Sequence, residues 1–573
     1  YDGELSNSST EISKKFALAM EACRRETDME IYGVQIYAGS EMAKGRICEM
    51  KTGEGKTLTA ILPLYLLGSR KSGVHLATAN DYLANRDATF AKPILDRLGL
   101  SVGVVTSDSN YAERRQAYRC DVTYGTAKEF GFDFLRDQLN QVETPTILSL
   151  NNIIVDEADN LLIDEARTPL IIGAIDTQKE TQRSTVCRWA EGQSVRFVEG
   201  MHYKYHKKSR RIEYLPEGVL ELRSLRENEF TRQLSLRELG EYLENAIRVR
   251  RDYQRDDKYT VVDGKIVIID EYTGRLAEGR QWQRGIHQAV EAKEGLEITS
   301  QTERAASITI QSLIKKYDFA CGMTGTAWSS RNEFDRVYKL KVSRIPTNKR
   351  IRRRKYRHRI FDAEQIKFES IASEIESVVA ENRAVLVGTR TVEKSELLSQ
   401  ILHQKSIAHE ILNAKNLANE AALVAEAGCV GKVTVATNMA GRGTDIMLED
   451  KVVLSGGLHV ILTELHESAR IDWQLIGRGC RQGDPGSFQI FLSLQDSVLE
   501  RGLSKEKLAH LRTKYAGRGE LQPSLFRHFL AAQRNVEAKQ LADRLVMIHQ
   551  EDERMKLFHE TGENPFLSPV SVS

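Results

Sequence analysis

The stretch EMKTGEGKT (49–57) sets how the rest of the chain is read. Two glycines bracket Glu54, and Lys56 and Thr57 follow at once. The apolar run RICEM (46–50) leads in, and TLTAILPLYLLG (57–68) leads out with the composition of a buried helix. A strand, a glycine loop and a helix in that order form a setting that holds phosphate. Gly53 and Gly55 let backbone N–H groups turn inward around an anion, and the helix N-terminus adds its partial positive charge. In that role Lys56 reaches the β- and γ-phosphates and Thr57 ligates Mg²⁺. Met50, Lys51, Thr52, Gly53, Glu54, Gly55, Lys56 and Thr57 together are the candidate nucleotide grip. The pattern G-x-x-x-x-G-K-T has glycine first, whereas this chain has Met50, so a chance strand–turn–helix is the alternative assignment.

Outward from the loop, short apolar runs alternate with longer amphipathic segments. The runs GVHLAT (73–78), SVGVVT (101–106), CDVTYG (120–125) and NIIVDE (152–157) predict a doubly wound, mostly parallel sheet. NIIVDEAD (152–159) is an apolar strand ending in acids. Asp156 at the strand tip is placed to hold Mg²⁺, and Glu157 to orient and polarise an attacking water. One of these acids could instead cap the next helix, the assignment preferred for Asp159. GMTGTA (322–327) suits close approach of backbone to a ligand, or a plain tight turn. Gln35, in IYGVQIYAG (31–39), carries an amide able to read an adenine edge, or is an ordinary turn glutamine.

A second α/β run, about 360–495, contains RAVLVGT (383–389), KVTVAT (432–437), LHVILTE (458–464) and FQIFLSL (488–494). TNMAGRGTDI (437–446) and QLIGRGCRQGDPG (474–486) follow two of its elements. Arg478 and Arg481 there lie on glycine-rich backbone. An arginine supplied across a cleft stabilises charge on a γ-phosphoryl group; surface salt bridges are the alternative. Two nucleotide-handling lobes result, with hydrolysis opening or closing the cleft between them.

Residues 179–298 are more charged and read as an inserted domain. YKYHKK (203–208) with RIEYLP (211–216) predicts short strands, and KYTVVDGKIVIIDE (258–271) a hairpin turning at Asp263-Gly264. NKRIRRRKYRHR (348–359) carries eight Lys or Arg and reads as a solvated linker or a docking patch for an acidic partner or anionic lipid. Residues 7–26 read as a helix. Residues 524–561 read as one long amphipathic helix of about 55 Å.

At 573 residues the chain is long enough for roughly three to five domains. Lys plus Arg number 82 against 80 acids, a net charge of +2, so no overall basic field marks a nucleic-acid coat. The seven cysteines stand singly, which disfavours zinc and favours a reducing compartment. The longest apolar stretch, ILPLYLLG (61–68), falls far short of the ~20 residues a bilayer span needs. No signal peptide is visible and the first residue is Tyr1, so a fragment or trimmed chain is expected.

Residues 156–159 spell DEAD, but the surrounding wording is more specific. MKTGEGKT, ATANDYLANRD (77–87), TYGTAKEFGFDFLRD (123–137), VDEADNLLIDEARTPLIIGA (155–174), IIDEYTGRLAEGRQW (268–282), LVGTRTVEKSELLS (386–399), ATNMAGRGTDI (436–446) and GGLHVILTELHES (456–468) closely resemble the SecA family, the motor ATPases of bacterial preprotein translocation. The resemblance runs in order over roughly 14–500. It implies an α/β fold of two RecA-like lobes, with residues 1–178 and 299–343 in the first and 344–495 in the second. It makes 179–298 a preprotein cross-linking domain and 496–573 a partial helical scaffold and tail.

The resemblance also implies residue roles. Gln35 goes to adenine, Met50–Thr57 to phosphates, and Thr57 and Asp156 to Mg²⁺. Glu157 becomes the catalytic carboxylate, Arg478 and Arg481 go to the γ-phosphate, and Asp445 joins the nucleotide contacts. ATP and Mg²⁺ are the implied cofactors, without zinc. Unfolded preproteins and a SecY-type channel are the implied partners, with anionic lipid and a homodimer as options and nucleic acid not expected. The implied place is cytoplasmic, peripheral at the inner face of the cell membrane. Two departures stand out. No segment resembles the family's helical wing, two-helix finger or zinc tail, and Cys480 replaces a glycine in G-R-x-G-R. A nucleotide-gated accessory protein without autonomous translocation, and a nucleic-acid helicase, are the competing functions.

Overall fold

The computed structural model describes the chain outside residues 1–8, 141–144, 148, 168, 175–176, 207–210, 226–230, 233, 256–257, 263, 270–275, 278–281, 283–284, 300–302, 413–425, 438–445, 562–563, 565 and 568–573. Two compact units divide it: Tyr1–Leu170 with Ser307–Ser573, and Ile171–Ala306.

The first unit holds two large sheets, one parallel throughout and one parallel except at one edge, where an antiparallel strand is added. One has seven strands: β1 (Ile47–Glu49), β2 (Val74–Thr78), β3 (Val102–Val104), β4 (Val122–Thr126), β5 (Asn152–Asp156), β6 (Phe319–Thr324) and β7 (Val342–Arg344), in the order β7-β1-β6-β5-β2-β4-β3. Every pairing in it is parallel. β2, β4 and β5 are buried throughout, which is why their sequences are continuous rather than alternating apolar runs. Helix α1 (Gly33–Met42) precedes β1, and α2 (Lys56–Gly68) follows it, its apolar residues packed into the core with Met42, Met50 and Leu76.

The second sheet contains β8 (Arg352–Lys355), β9 (Arg359–Phe361), β10 (Val385–Thr389), β11 (Glu410–Leu412), β12 (Val433–Thr437), β13 (Leu458–Leu462), β14 (Pro485–Ser493) and β15 (Glu520–Leu521). Its order is β11-β12-β10-β13-β14-β9-β15, with β8 also on β14. Helix α3 (Ala469–Ile476) joins β13 to the loop that enters β14. The doubly wound arrangement expected from the sequence is present in both lobes.

The basic run 348–359 is not a free linker. Its backbone forms β8 and β9, which pair in parallel with the first and second halves of the nine-residue β14. An extended chain sends neighbouring side chains to opposite sides, so the run supplies sheet backbone while Arg350, Arg352, Arg354 and Arg357 remain exposed.

The long terminal helix is α4 (Phe526–Thr561), 36 residues and about 54 Å long. It touches both lobes. Gln533 Nε2 donates to His466 O and Asp472 Oδ2 at 2.8 and 2.7 Å, and Glu537 Oε1 accepts from Ser468 Oγ and the Ala469 N–H. Further on, Arg544 grips Glu333 through two bonds of 2.6 and 2.9 Å, and Glu551 accepts from Thr309.

The second unit, Ile171–Ala306, is wider at both ends than the 179–298 read from composition. Its strands Tyr203–His206 and Arg211–Tyr214 pair antiparallel, as do Tyr259–Val262 and Lys265–Ile269. Gly264 supplies the left-handed residue of the second hairpin (φ 72°); its expected partner Asp263 lies outside the described residues. Helix Leu236–Asp252 begins with a Ser235/Glu238 capping box and buries Leu239, Leu243 and Ile247 in a small core with Tyr203 and Ile212. Among the described residues no helix is long and apolar enough to cross a membrane.

Candidate nucleotide site

β1 ends at Glu49, and the chain turns through the glycine loop into α2. Met50 is buried in the core, and its N–H donates to Thr324 O of β6 at 2.9 Å. A side chain is therefore accommodated where the nucleotide-loop pattern has glycine, because position 50 belongs to the strand end. Gly53 (φ 86°) and Gly55 (φ 74°) are both left-handed. A Cβ at Gly55 would stand 2.5 Å from Gln35 Nε2, and one at Gly53 2.8 Å from Arg481 Cβ, so both positions demand glycine twice over.

Gln35 supports this loop directly. Its Nε2 donates to Glu54 O at 2.9 Å, and its Oε1 accepts the Tyr32 N–H at the start of α1 at 2.8 Å. The amide expected to read an adenine edge is thus engaged with the loop and its own helix. Lys51 is held by Glu49 at 2.7 Å. The Asn348 N–H donates to Glu54 Oε2 at 2.9 Å. Thr57 Oγ1 lies 3.4 Å from Asp87 Oδ1.

Lys56 is the electrostatic centre. Its ammonium pairs with Glu157 Oε1 and lies 3.9 Å from Asp156 Oδ1. Burial works against its charge, but Glu157, Asp156 and Asp159 outweigh it and hold the ammonium above its ordinary range. Burial pushes the Asp156 carboxyl up to about 6, against the pull of Lys56, with Glu157 and Asp87 adding to the rise. Glu157 adopts φ 53°, a left-handed conformation unusual for a non-glycine residue, directly at the strand tip.

Asp159 does more than the capping its position suggested. It accepts the Asn160 N–H at 3.0 Å, but it also receives Thr324 Oγ1 and Thr326 Oγ1 at 2.5 Å each and Gln474 Nε2 at 2.7 Å. The hydroxyls of GMTGTA therefore secure an acid rather than facing a ligand alone. Gln474 belongs to α3, so this acid joins the two lobes. Arg470, one turn earlier on α3, reaches Asp164 at 3.0 Å and Asp159 at 3.6 Å. Neither Asp159 nor Arg470 was picked out as a site residue from sequence. The available signal was their type: an acid and an arginine at positions that fold into buried surroundings.

The second lobe closes the site with the loop after α3. Thr52 Oγ1 donates to Gly477 O. Arg481 lays its methylenes over Gly53. Arg478, three residues earlier, is half-buried on the same loop. Cys480 is buried with φ 64°, the left-handed backbone that a glycine at this position favours. Asp445 lies outside the described residues.

Two facing parallel-sheet lobes, a glycine loop on one and an arginine loop on the other, define a DEAD-like, two-lobed P-loop protein. A family profile described as the SecA DEAD-like domain matches residues 3–335, and one for the SecA P-loop domain matches 350–453 and 448–516. The protein translocase subunit SecA 2 of Rhodopirellula baltica is 45% identical over 585 residues, spanning 97% of this chain and 89% of that protein. The protein translocase subunit SecA of Syntrophus aciditrophicus is 42% identical over 548 residues, spanning 94% of this chain and 64% of that protein. Among solved structures, S. cerevisiae Dbp5 bound to RNA and ADP BeF3 shares 12% identity, with a TM-score of 0.42 over 91% of this chain and 97% of that one. The chain belongs to the SecA family.

Proposed function

We propose that this chain is a Mg²⁺-dependent ATPase motor whose lobe movements act on unfolded preproteins at a SecY-type channel. The observation that carries the ATPase reading is the shared cleft, in which Arg481 of one lobe rests on Gly53 of the other while Lys56 is held by Glu157. The residues present fit the nucleotide and metal. Gly53 and Gly55 give the loop the left-handed backbone that turns N–H groups inward around an anion, and Thr57 and Asp156 would hold Mg²⁺, which would neutralise phosphate charge.

Lys56 and Glu157 neutralise each other in a close ion pair. Transfer of the Lys56 ammonium to phosphate releases the Glu157 carboxylate, which then orients and polarises the attacking water. Arg481 and Arg478 stabilise charge that develops on the γ-phosphoryl group. Gln474, Arg470 and α4 link the same lobes, so a change at the cleft reaches the helix that spans them. The Ile171–Ala306 unit is the proposed client-binding domain. The exposed arginines of β8 and its flanks are a place for anionic lipid at the inner face of a cell membrane, where a cytoplasmic motor would dock.

The test is phosphate release with and without Mg²⁺, comparing wild type with Glu157→Gln. Loss of the base is expected to lower turnover by about 10²–10⁴-fold. Wild-type turnover no higher than the variant's sinks the ATPase reading and leaves a nucleotide-gated accessory protein. Stimulation by an unfolded preprotein with channel-containing vesicles supports the export role, whereas stimulation by RNA alone argues for a helicase.

A further inference from the structure

Arg353 lies on the basic run but does not share its exposure. While Arg352 and Arg354 face solvent, Arg353 is half-buried against the arginine loop. Its Nη2 donates to Gly479 O at 2.8 Å, and its guanidinium also reaches the Cys480 thiol. The loop it touches has an unusual backbone: Cys480, Gln482 and Gly483 all have positive φ, at 64°, 50° and 89°. Such conformations persist only where the surroundings over-determine them.

The loop is gripped from two directions. Thr52, on the phosphate loop, donates to Gly477 O, and Arg353, on β8, donates to Gly479 O. Both acceptors lie at or just past the C-terminal end of α3, where orphan carbonyls attract a donor and a positive charge. The segment leading into β8 adds to the hold. The Asn348 N–H bonds Glu54 of the phosphate loop, and Lys349 packs so closely on Gly483 that a Cβ there would meet its Cδ at 2.9 Å. Space on the far side of Cys480 is equally short, since a Cβ at Gly486 would stand 2.7 Å from its Sγ.

We infer that Arg353 is a positioning residue for Arg481: it braces the arginine loop from behind, so that closing the cleft delivers Arg481 onto the phosphate loop. The inference rests on the ATPase reading above. Arg353 does not touch the reacting atoms; it acts by fixing Gly479 and Cys480, the residues immediately before Arg481.

The test is a double-mutant cycle of Arg353→Ala and Arg481→Ala, read by single-turnover hydrolysis and by binding of a fluorescent ATP analogue. Arg353→Ala is expected to slow hydrolysis about tenfold, as befits loss of one charged hydrogen bond, with analogue affinity unchanged within about twofold. In the Arg481→Ala background the same change should have almost no further effect, because a brace has nothing left to position. Arg353→Lys, which keeps the positive charge and a donor, should recover part of the rate. Equal losses in both backgrounds, or a loss of affinity as large as the loss of rate, overturn the inference. If Arg353→Ala fails to fold, the cycle is run with Arg353→Lys, whose smaller loss should likewise vanish beside Arg481→Ala. Wild-type turnover at the Glu157→Gln level fails the ATPase reading and this role together. Vigorous wild-type turnover that Arg353→Ala leaves intact fails this role alone.

Discussion

The two faces of the cleft reach the same end by different means. On the first lobe the left-handed positions of the phosphate loop are glycines, and the charges behind them form a closed, buried set around Lys56. On the second lobe two of the left-handed positions are Cys480 and Gln482, and the loop relies on outside help from Thr52 and Arg353. One face makes its left-handed turns with glycine, while the other holds non-glycine residues in them. A substitution on the first face should therefore act locally, and one on the second should depend on whether its braces remain.

The largest expected effect comes from acid and separates the two lobes. Each carries a buried histidine on a central strand: His75, bonded to Tyr317 OH at 2.7 Å, and His459, bonded to Ser487 Oγ at 2.7 Å. Burial lowers His75 from an ordinary 6.5 to about 4. Burial, with a smaller contribution from Arg383, lowers His459 to about 3. A folded-state pKa below the unfolded one means the unfolded chain takes the proton first. The stabilising contribution is thus complete above pH 6.5 and is lost as pH falls, ending near 4 for His75 and near 3 for His459. The full loss is about 3 kcal/mol for the first lobe and about 5 kcal/mol for the second. Hydrogen exchange on β2 and β13 between pH 7 and 3.5 checks this. His75→Gln and His459→Gln should each flatten the acid response of their own lobe, and a flattening in the wrong lobe would break the distinction.

Next is Gly53→Ala. The position is left-handed and Arg481 occupies the space a methyl would need. Turnover should fall about 10²-fold through misplacement of the loops, with the melting temperature of the nucleotide-free protein falling slightly. An active Gly53→Ala enzyme would show that Arg481 need not rest there.

The smallest effect has the opposite sign. Gln482 is exposed and left-handed, so Gln482→Gly relieves backbone strain without removing buried surface. A gain of about 1 kcal/mol, raising the melting temperature by about 1 °C, is the expected calorimetric result. No gain would mean that the loop's neighbours already compensate the strain in full.

These differences also explain what the sequence disclosed. The apolar strands, the phosphate loop and the long terminal helix were legible because each depends on local spacing. The partnership of Asp159 with Thr324, Thr326 and Gln474 was not, since each of those partners lies at least 165 residues from Asp159 along the chain. The run 348–359 looked like a linker because its charges hid a backbone that completes a sheet. Gln35 carried the right chemistry for a base edge, yet no local pattern indicates that its amide would meet the loop backbone nineteen residues later.

Helix α4 sets a limit on how the cleft can move. Gln533 grips the second lobe and Arg544 the first, eleven residues apart, which a helix holds at about 16 Å. A rigid crossbar fixed at both points forbids simple separation of the lobes. With those grips intact, and with Glu551 holding Thr309 further along, the available motion is a swing of one lobe against the other about the bar.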